Sequence, residues 1–183
     1  MTGPDATLLT PENAIDRDLA VIDIGSNTVR LVHFRLEGRA LWPIFNEKVT
    51  AGLGRGMGIT GRLHPDGVDT ALRALKRYAK YVKERYAVAT AAVRNAEDGE
   101  AFCARVKAES GFDVRILSGA DEARISAMGV VAGIPHAQGV AGDLGGSSLE
   151  LTALLNGEVG EGETHALGPL SIPEEIRADQ SAL

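Results

Sequence analysis

The chain has almost no cysteine: Cys103 is the only one in 183 residues. One thiol excludes an internal disulfide and a thiolate zinc site, and within AFCARV it reads as an inert residue on a helix face. Aromatic residues make up 4%, so any core must be aliphatic, built from Val, Ile, Leu and Ala. Long apolar runs are absent too, and none could cross a bilayer. The opening MTGPDATLLTPENAIDRD has neither the basic nor the apolar region of a secretory signal. Residues 1–18 therefore read as a flexible leader, and the setting as cytoplasmic. Positive charge is not in excess either: the formal net charge is −6, which argues against a surface that coats nucleic acid. A phosphorylated ligand stays open, because local amides, a few arginines and a metal ion are enough to hold one.

What is present suits a core-forming protein, with 44% hydrophobic and 24% charged residues. The length fits one ordinary domain or two small lobes sharing an interface. Short apolar runs predict strands over Leu19–Gly25, Val29–Leu36 and Ala40–Thr50. The glycine-rich stretch that follows reads as a loop, mobile over Gly52–Gly61, with Arg55 able to reach a bound anion. Pro65 opens a helix whose apolar residues recur at helical spacing up to Tyr86. AVATAAV (Ala87–Val93) reads as a strand, Glu97–Glu109 as a helix and Val114–Leu117 as a strand. Ser118 and Asp121 have capping-box form and start a helix running to about Val131. A strand over Gly139–Leu144 and a hairpin around Asn156-Gly157 complete the pattern.

This order is an α/β lobe followed by the start of a second, with the lobes at 19–134 and 135–183. The restart carries an internal echo. DIGSNTVRL at Asp23–Leu31 returns as DLGGSSLEL at Asp143–Leu151, 120 positions later. A strand–turn–strand with Asp-x-Gly at its tip suits phosphate: glycine lets successive N–H groups approach an anion, and short polar side chains add donors. The acid can hold a metal ion or orient water. Either copy by itself reads as well as a plain tight hairpin; the pairing at lobe-like spacing favours phosphate.

The two turns resemble the phosphate loops of the exopolyphosphatase and guanosine pentaphosphate phosphohydrolase (Ppx/GppA) family. TAAVRNA (Thr90–Ala96) and ILSGADEARI (Ile116–Ile125) resemble two further motifs of that family, in the right order. The chain departs from the pattern in Gly-Gly-Ser-Ser at the second loop, in Ala120-Asp121, and in THALGPLSI, whose role the sequence leaves open. The resemblance implies an α/β fold of the actin-like ATPase (ribonuclease H-like) kind, a mixed sheet with flanking helices, here followed by the first strands of a second, incomplete lobe. It implies magnesium as cofactor and hydrolysis of a terminal phosphoanhydride in polyphosphate or guanosine pentaphosphate.

On that resemblance Glu122 is the candidate general base; the local alternative is an acid that simply stabilises a helix start. Asp23, Asp143 and Glu150 are the candidate metal-site carboxylates. Gly25, Ser26, Asn27, Gly145, Gly146, Ser147 and Ser148 would supply phosphate donors, joined by Arg94, which reads equally as a surface ion-pair residue. Thr28 and Arg30 are weaker, as turn and solvent-facing residues. The four histidines have no ligand spacing. Two other functions stay open: an actin-fold kinase for a small metabolite, and a binding-only phosphate or nucleotide sensor. A homodimer is compatible with exposed apolar strands; a membrane or a specific nucleic acid is not expected as partner.

Overall fold

A computed structural model describes residues 17–38, 40–81 and 85–172. The expected leader, residues 1–18, lies outside them except for its last two. Strands β1 (Arg17–Ile24), β2 (Thr28–Glu37) and β3 (Ala40–Thr50) form an antiparallel meander. Then come helices α1 (Met57–Thr60) and α2 (Pro65–Tyr78), strand β4 (Arg85–Ala89), helices α3 (Ala91–Asn95) and α4 (Gly99–Ser110), and strand β5 (Val114–Ile116). Helix α5 (Gly119–Gly133) leads to β6 (Gly139–Leu144), β7 (Leu149–Leu155) and β8 (Glu158–His165).

The first sheet has the order β3-β2-β1-β4-β5, with β4 parallel to β1 and β5 parallel to β4. The second has the order β6-β7-β8 and is antiparallel. This is the actin-like mixed sheet with flanking helices, followed by three strands of a second sheet. Ile22, Ile24, Val29 and Leu31 alternate onto one face of the first sheet, where they meet Leu75 and Tyr78 of α2 and Val106 of α4. Each such side chain contributes about 1.5–3 kcal/mol on burial. As the composition requires, the core is mostly aliphatic. No helix among the described residues is long and apolar enough to cross a membrane.

Three elements differ from the sequence reading. The helix expected to reach Tyr86 stops at Tyr78, because Arg85 and Tyr86 pair in β4 with Ala20 and Val21 of β1. AVATAAV is strand only to Ala89; Thr90 turns the chain, and Ala91, Ala92 and Val93 bury themselves as the short helix α3. The glycine-rich segment is anchored at its start. Leu53 is fully buried, and the amides of Ala51 and Gly52 donate to the Asn27 carbonyl at 2.9 Å.

Helix α5 begins as expected, with the Ser118 hydroxyl accepting from the Asp121 amide at 3.1 Å and donating to its carboxylate. The sequence groups this helix with the first lobe, yet its buried face lies on the second sheet. Thr152 Oγ1 donates to the Ala123 carbonyl at 3.2 Å, and Ala127 packs with Ala137 and Leu154. The second sheet is therefore covered on that side. Asn156 (φ 52) and Gly157 (φ 84) both take positive φ, the two-residue turn that Asn-Gly favours.

Candidate functional site

The two turns that echo each other in sequence are the same structure built twice. The Gly25 amide donates to the Thr28 carbonyl at 2.9 Å, and the Gly145 amide donates to the Ser148 carbonyl at 2.9 Å. The strand registers match as well: Asp23 stands opposite Arg30 across β1 and β2, and Asp143 opposite Glu150 across β6 and β7. Ser26, Ser147 and Ser148 are buried, so the turn tips are packed rather than waving in solvent. They meet closely. A β-carbon on Gly146 would stand 3.2 Å from Cβ of Ser26 and 3.3 Å from the amide nitrogen of Asn27. Only glycine allows that approach without displacing the first turn.

Both turns open on one cavity of about 310 Å³, which also takes in Thr90 and Glu122. Glu122 arrives in the first turn of α5. Its Oε2 accepts from Arg94 Nη1 at 2.8 Å, and the same nitrogen donates to the Leu117 carbonyl at 2.9 Å. Burial pushes the Glu122 pKa up; Arg94 opposes this, the nearby Glu150 adds to it, and a hydrogen bond from Thr90 opposes it again. The net direction is upward, toward a stronger base. Arg94 is an ion-pair residue, as the alternative reading has it, but its partner is Glu122 of the cleft and its side chain is only 21% exposed.

Asp23 and Asp143 stand at the ends of β1 and β6, exposed to the cavity. Protein packed around Asp23 raises its pKa first, and the charge of Asp143 raises it further, while Arg30 and Lys48 act the other way. Ser126 of α5 donates a hydrogen bond to Asp143 Oδ2. Glu150 lies deeper, 2% exposed, with Thr164 Oγ1 donating to its Oε1 at 2.9 Å. Arg30 is exposed and donates to Asn46 at 2.9 Å, as a solvent-facing hairpin residue would.

The described residues contain no group of three or more His, Cys, Asp or Glu able to cage a metal ion. Two mutually repelling carboxylates are nevertheless a fit for magnesium, which takes one or two carboxylates and completes its shell with water and phosphate oxygens. Asp23 and Asp143 are the pair that meets this condition. Glu150, buried and held by Thr164, stands behind them.

Four contacts were not foreseen. Ser126 and Thr164 orient Asp143 and Glu150, and Thr90 supports Glu122. The fourth gives THALGPLSI a place: the Leu170 amide donates to the Gly146 carbonyl at 2.7 Å, and the Ser171 hydroxyl to the Ser147 carbonyl at 2.6 Å. This segment clasps the second turn. Gly168 lies so close to the backbone of Gly146 and Ser147 that a β-carbon there would overlap it. Thr90 had a sequence signal as the first residue of TAAVRNA, and Thr164, Leu170 and Ser171 lie in THALGPLSI, whose role the sequence left open; Ser126 had none.

The chain is similar to several known proteins. Exopolyphosphatase 1 of Mycobacterium tuberculosis (strain ATCC 25618 / H37Rv) is 32% identical over 143 residues, covering 74% of this chain and 42% of that protein. Exopolyphosphatase 2 of the same organism is 32% identical over 149 residues, covering 73% and 47%. Among solved structures, the Aquifex aeolicus member of the Ppx/GppA family superimposes with a TM-score of 0.74 at 31% identity, over 84% of this chain and 52% of that one. A Cytophaga hutchinsonii exopolyphosphatase gives 0.77 at 29%, over 83% and 51%. The chain thus spans about half the length of the relatives it matches. The family model described as the Ppx/GppA phosphatase family matches residues 32–182, and the chain belongs to that family.

Proposed function

We propose that the chain contributes the catalytic cleft of a phosphoanhydride hydrolase that releases terminal phosphate from inorganic polyphosphate or guanosine pentaphosphate. One observation carries this reading: a half-buried, hydrogen-bonded carboxylate of raised pKa, Glu122, faces the same cavity as two duplicated glycine–serine turns. Two turns grip an anion from two sides, and the carboxylate supplies the one group that hydrolysis adds to binding.

Each residue then has a task. The turn residues Gly25, Ser26 and Asn27, and Gly145, Gly146, Ser147 and Ser148, hold the phosphate oxygens through amides and short side chains. Glu122 takes the proton from the attacking water, and its raised pKa makes it a better base. Arg94 fixes that carboxylate, and its guanidinium adds positive charge for the phosphoryl oxygens. Asp23 and Asp143 would hold magnesium, which when bound would supply positive charge against the phosphate chain. Glu150, nearby, helps to raise the Glu122 pKa.

A binding-only reading remains the rival, because the chain spans 42% of the first relative and 47% of the second. A phosphate-release assay with polyphosphate, guanosine pentaphosphate and ATP in parallel, with and without magnesium, separates the two. Release from either of the first two supports hydrolysis. Binding of both without release supports the rival, and release from ATP only would point to an actin-fold kinase or ATPase.

A further inference from the structure

Helix α5 carries Glu122 into the cleft, and Ser126 follows it four residues later. That spacing puts both side chains on one face of the helix, and both line the cavity onto which the two turns open. Glu122 is tied down by Arg94. Ser126 ties down a different acid: its hydroxyl donates to Oδ2 of Asp143 in β6. A serine within a helix ordinarily turns to solvent or bonds back to the carbonyl four residues earlier. The Ser126 hydroxyl instead leaves its own helix for a strand.

The surroundings of Asp143 make that bond matter. A second cavity of about 320 Å³ lies between α5 and β6, and Ser126, Asp143 and Glu150 line both it and the cleft. Most of its other lining residues are small, among them Ala127 and Gly129 of the helix and Ala141 and Gly142 of the strand. Packing therefore does not fix the Asp143 side chain, which is exposed and has open space on two sides. Glu150 differs, being buried and held by Thr164. Thr152 of β7 also reaches α5, but it donates to the Ala123 carbonyl and leaves Asp143 alone.

A carboxylate free to turn must be ordered whenever a cation binds, and that ordering costs affinity. A donor on Oδ2 sets the orientation beforehand and leaves Oδ1 for the cation. Magnesium gains most from this, because it demands nearly ideal ligand geometry. The same bond fixes Asp143 relative to Glu122, since Glu122 and Ser126 ride on one helix.

We propose that Ser126 is a positioning residue that holds the Asp143 carboxylate in the orientation magnesium needs; this rests on the reading of Asp143 as a metal ligand. The test is manganese binding to the whole chain without substrate, read from the loss of the free-ion signal in electron paramagnetic resonance. Manganese is a hard divalent ion that takes the same oxygen ligands. Ser126→Ala should weaken binding about ten- to a hundredfold, the usual cost of losing a partner of a metal ligand. Ser126→Thr keeps the hydroxyl, its added methyl has room beside the second cavity, and it should bind nearly as the wild type does. Asp143→Asn should weaken binding at least as much as Ser126→Ala.

Unchanged affinity in Ser126→Ala, with affinity lost in Asp143→Asn, would overturn the positioning role and leave the metal reading intact. Equal losses in Ser126→Ala and Ser126→Thr would overturn it as well, because the hydroxyl would then not be what matters. No binding by the wild type, or no loss in Asp143→Asn, would overturn it together with the reading of Asp143 as a ligand.

Discussion

Arg94 Nη1 lies 2.8 Å from Glu122 Oε2 while also holding the Leu117 carbonyl at 2.9 Å, so one nitrogen ties the end of α3 to the start of α5. The guanidinium lowers the pKa that burial raises. Removing it should therefore move the Glu122 pKa further up. For Arg94→Ala we expect phosphate release to fall about 10²–10³-fold, the usual cost of losing a charge-stabilising donor. The acid limb of the pH–rate profile should also shift to higher pH. A fall in rate with an unmoved acid limb would separate Arg94 from Glu122 and leave it a phosphate ligand only.

Asp23 gives a stability prediction whose sign follows from the protein packed around its carboxylate at the cleft wall and from the charge of Asp143. Its pKa is raised in the folded protein above the ordinary 3.8, so the unfolded chain loses this proton first. Stability is thus lost as pH rises from the ordinary value through the folded one, and stays lower above it. Asp23→Asn removes that loss. Its melting temperature should match the wild type near pH 3.5 and exceed it at pH 7. Magnesium should raise the melting temperature of the wild type more than that of the variant. A variant less stable than wild type at pH 7 would mean that Asp23 is a structural cap of its turn.

The clasp over the second turn predicts a cost at a residue far from the chemistry in sequence. Gly168→Ala forces a β-carbon into the Gly146 and Ser147 backbone, an overpacking that typically costs about 1–3 kcal/mol. Denaturant unfolding should register that loss, and polyphosphate affinity should fall with it. Unchanged affinity would show that the second turn keeps its shape without the clasp.

The duplicated turn also predicts unequal protection. Strand β1 is paired on both sides, by β2 and β4, whereas among the described residues β6 is paired by β7 alone. Val140 and Leu144 are 70% and 64% exposed, where their counterparts Ala20 and Ile24 are 1% and 0%. Amides of Gly139–Leu144 should exchange faster than those of Leu19–Ile24. Equal protection would mean that the open edge is covered in solution.

The sequence carried the two turns, both strand meanders and the Ser118 cap because each is a local pattern: an apolar run, a glycine at a tip, an Ser-x-x-Asp box. What it did not carry depends on distant partners. The helix ending at Tyr78 is cut short by a parallel strand pairing with Ala20 and Val21, 65 residues earlier in register. Nothing in the periodicity of α5 announces that its Ala123 and Ala127 face the second sheet. The same holds in the site. Asp23, Asp143 and Glu122 stand in motifs, whereas Ser126 is an ordinary polar residue, and Thr164 and Ser171 sit in a segment of open role, until the fold sets them against Asp143, Glu150 and Ser147.

The central claim, that Glu122 is the base of a hydrolase, is tested most directly by phosphate release from polyphosphate with Glu122→Gln beside Asp121→Asn. The amide keeps the shape of Glu122 and loses its basic oxygen, and a positioned base contributes ~10²–10⁴-fold to such a step. Glu122→Gln should lower turnover by that factor and leave polyphosphate binding nearly unchanged. Asp121 belongs to the Ser118 cap and to an ion pair with Arg115 at 3.5 Å, so Asp121→Asn should reduce stability and little else. Full turnover in Glu122→Gln, with rate lost instead in Asp121→Asn, would contradict the account.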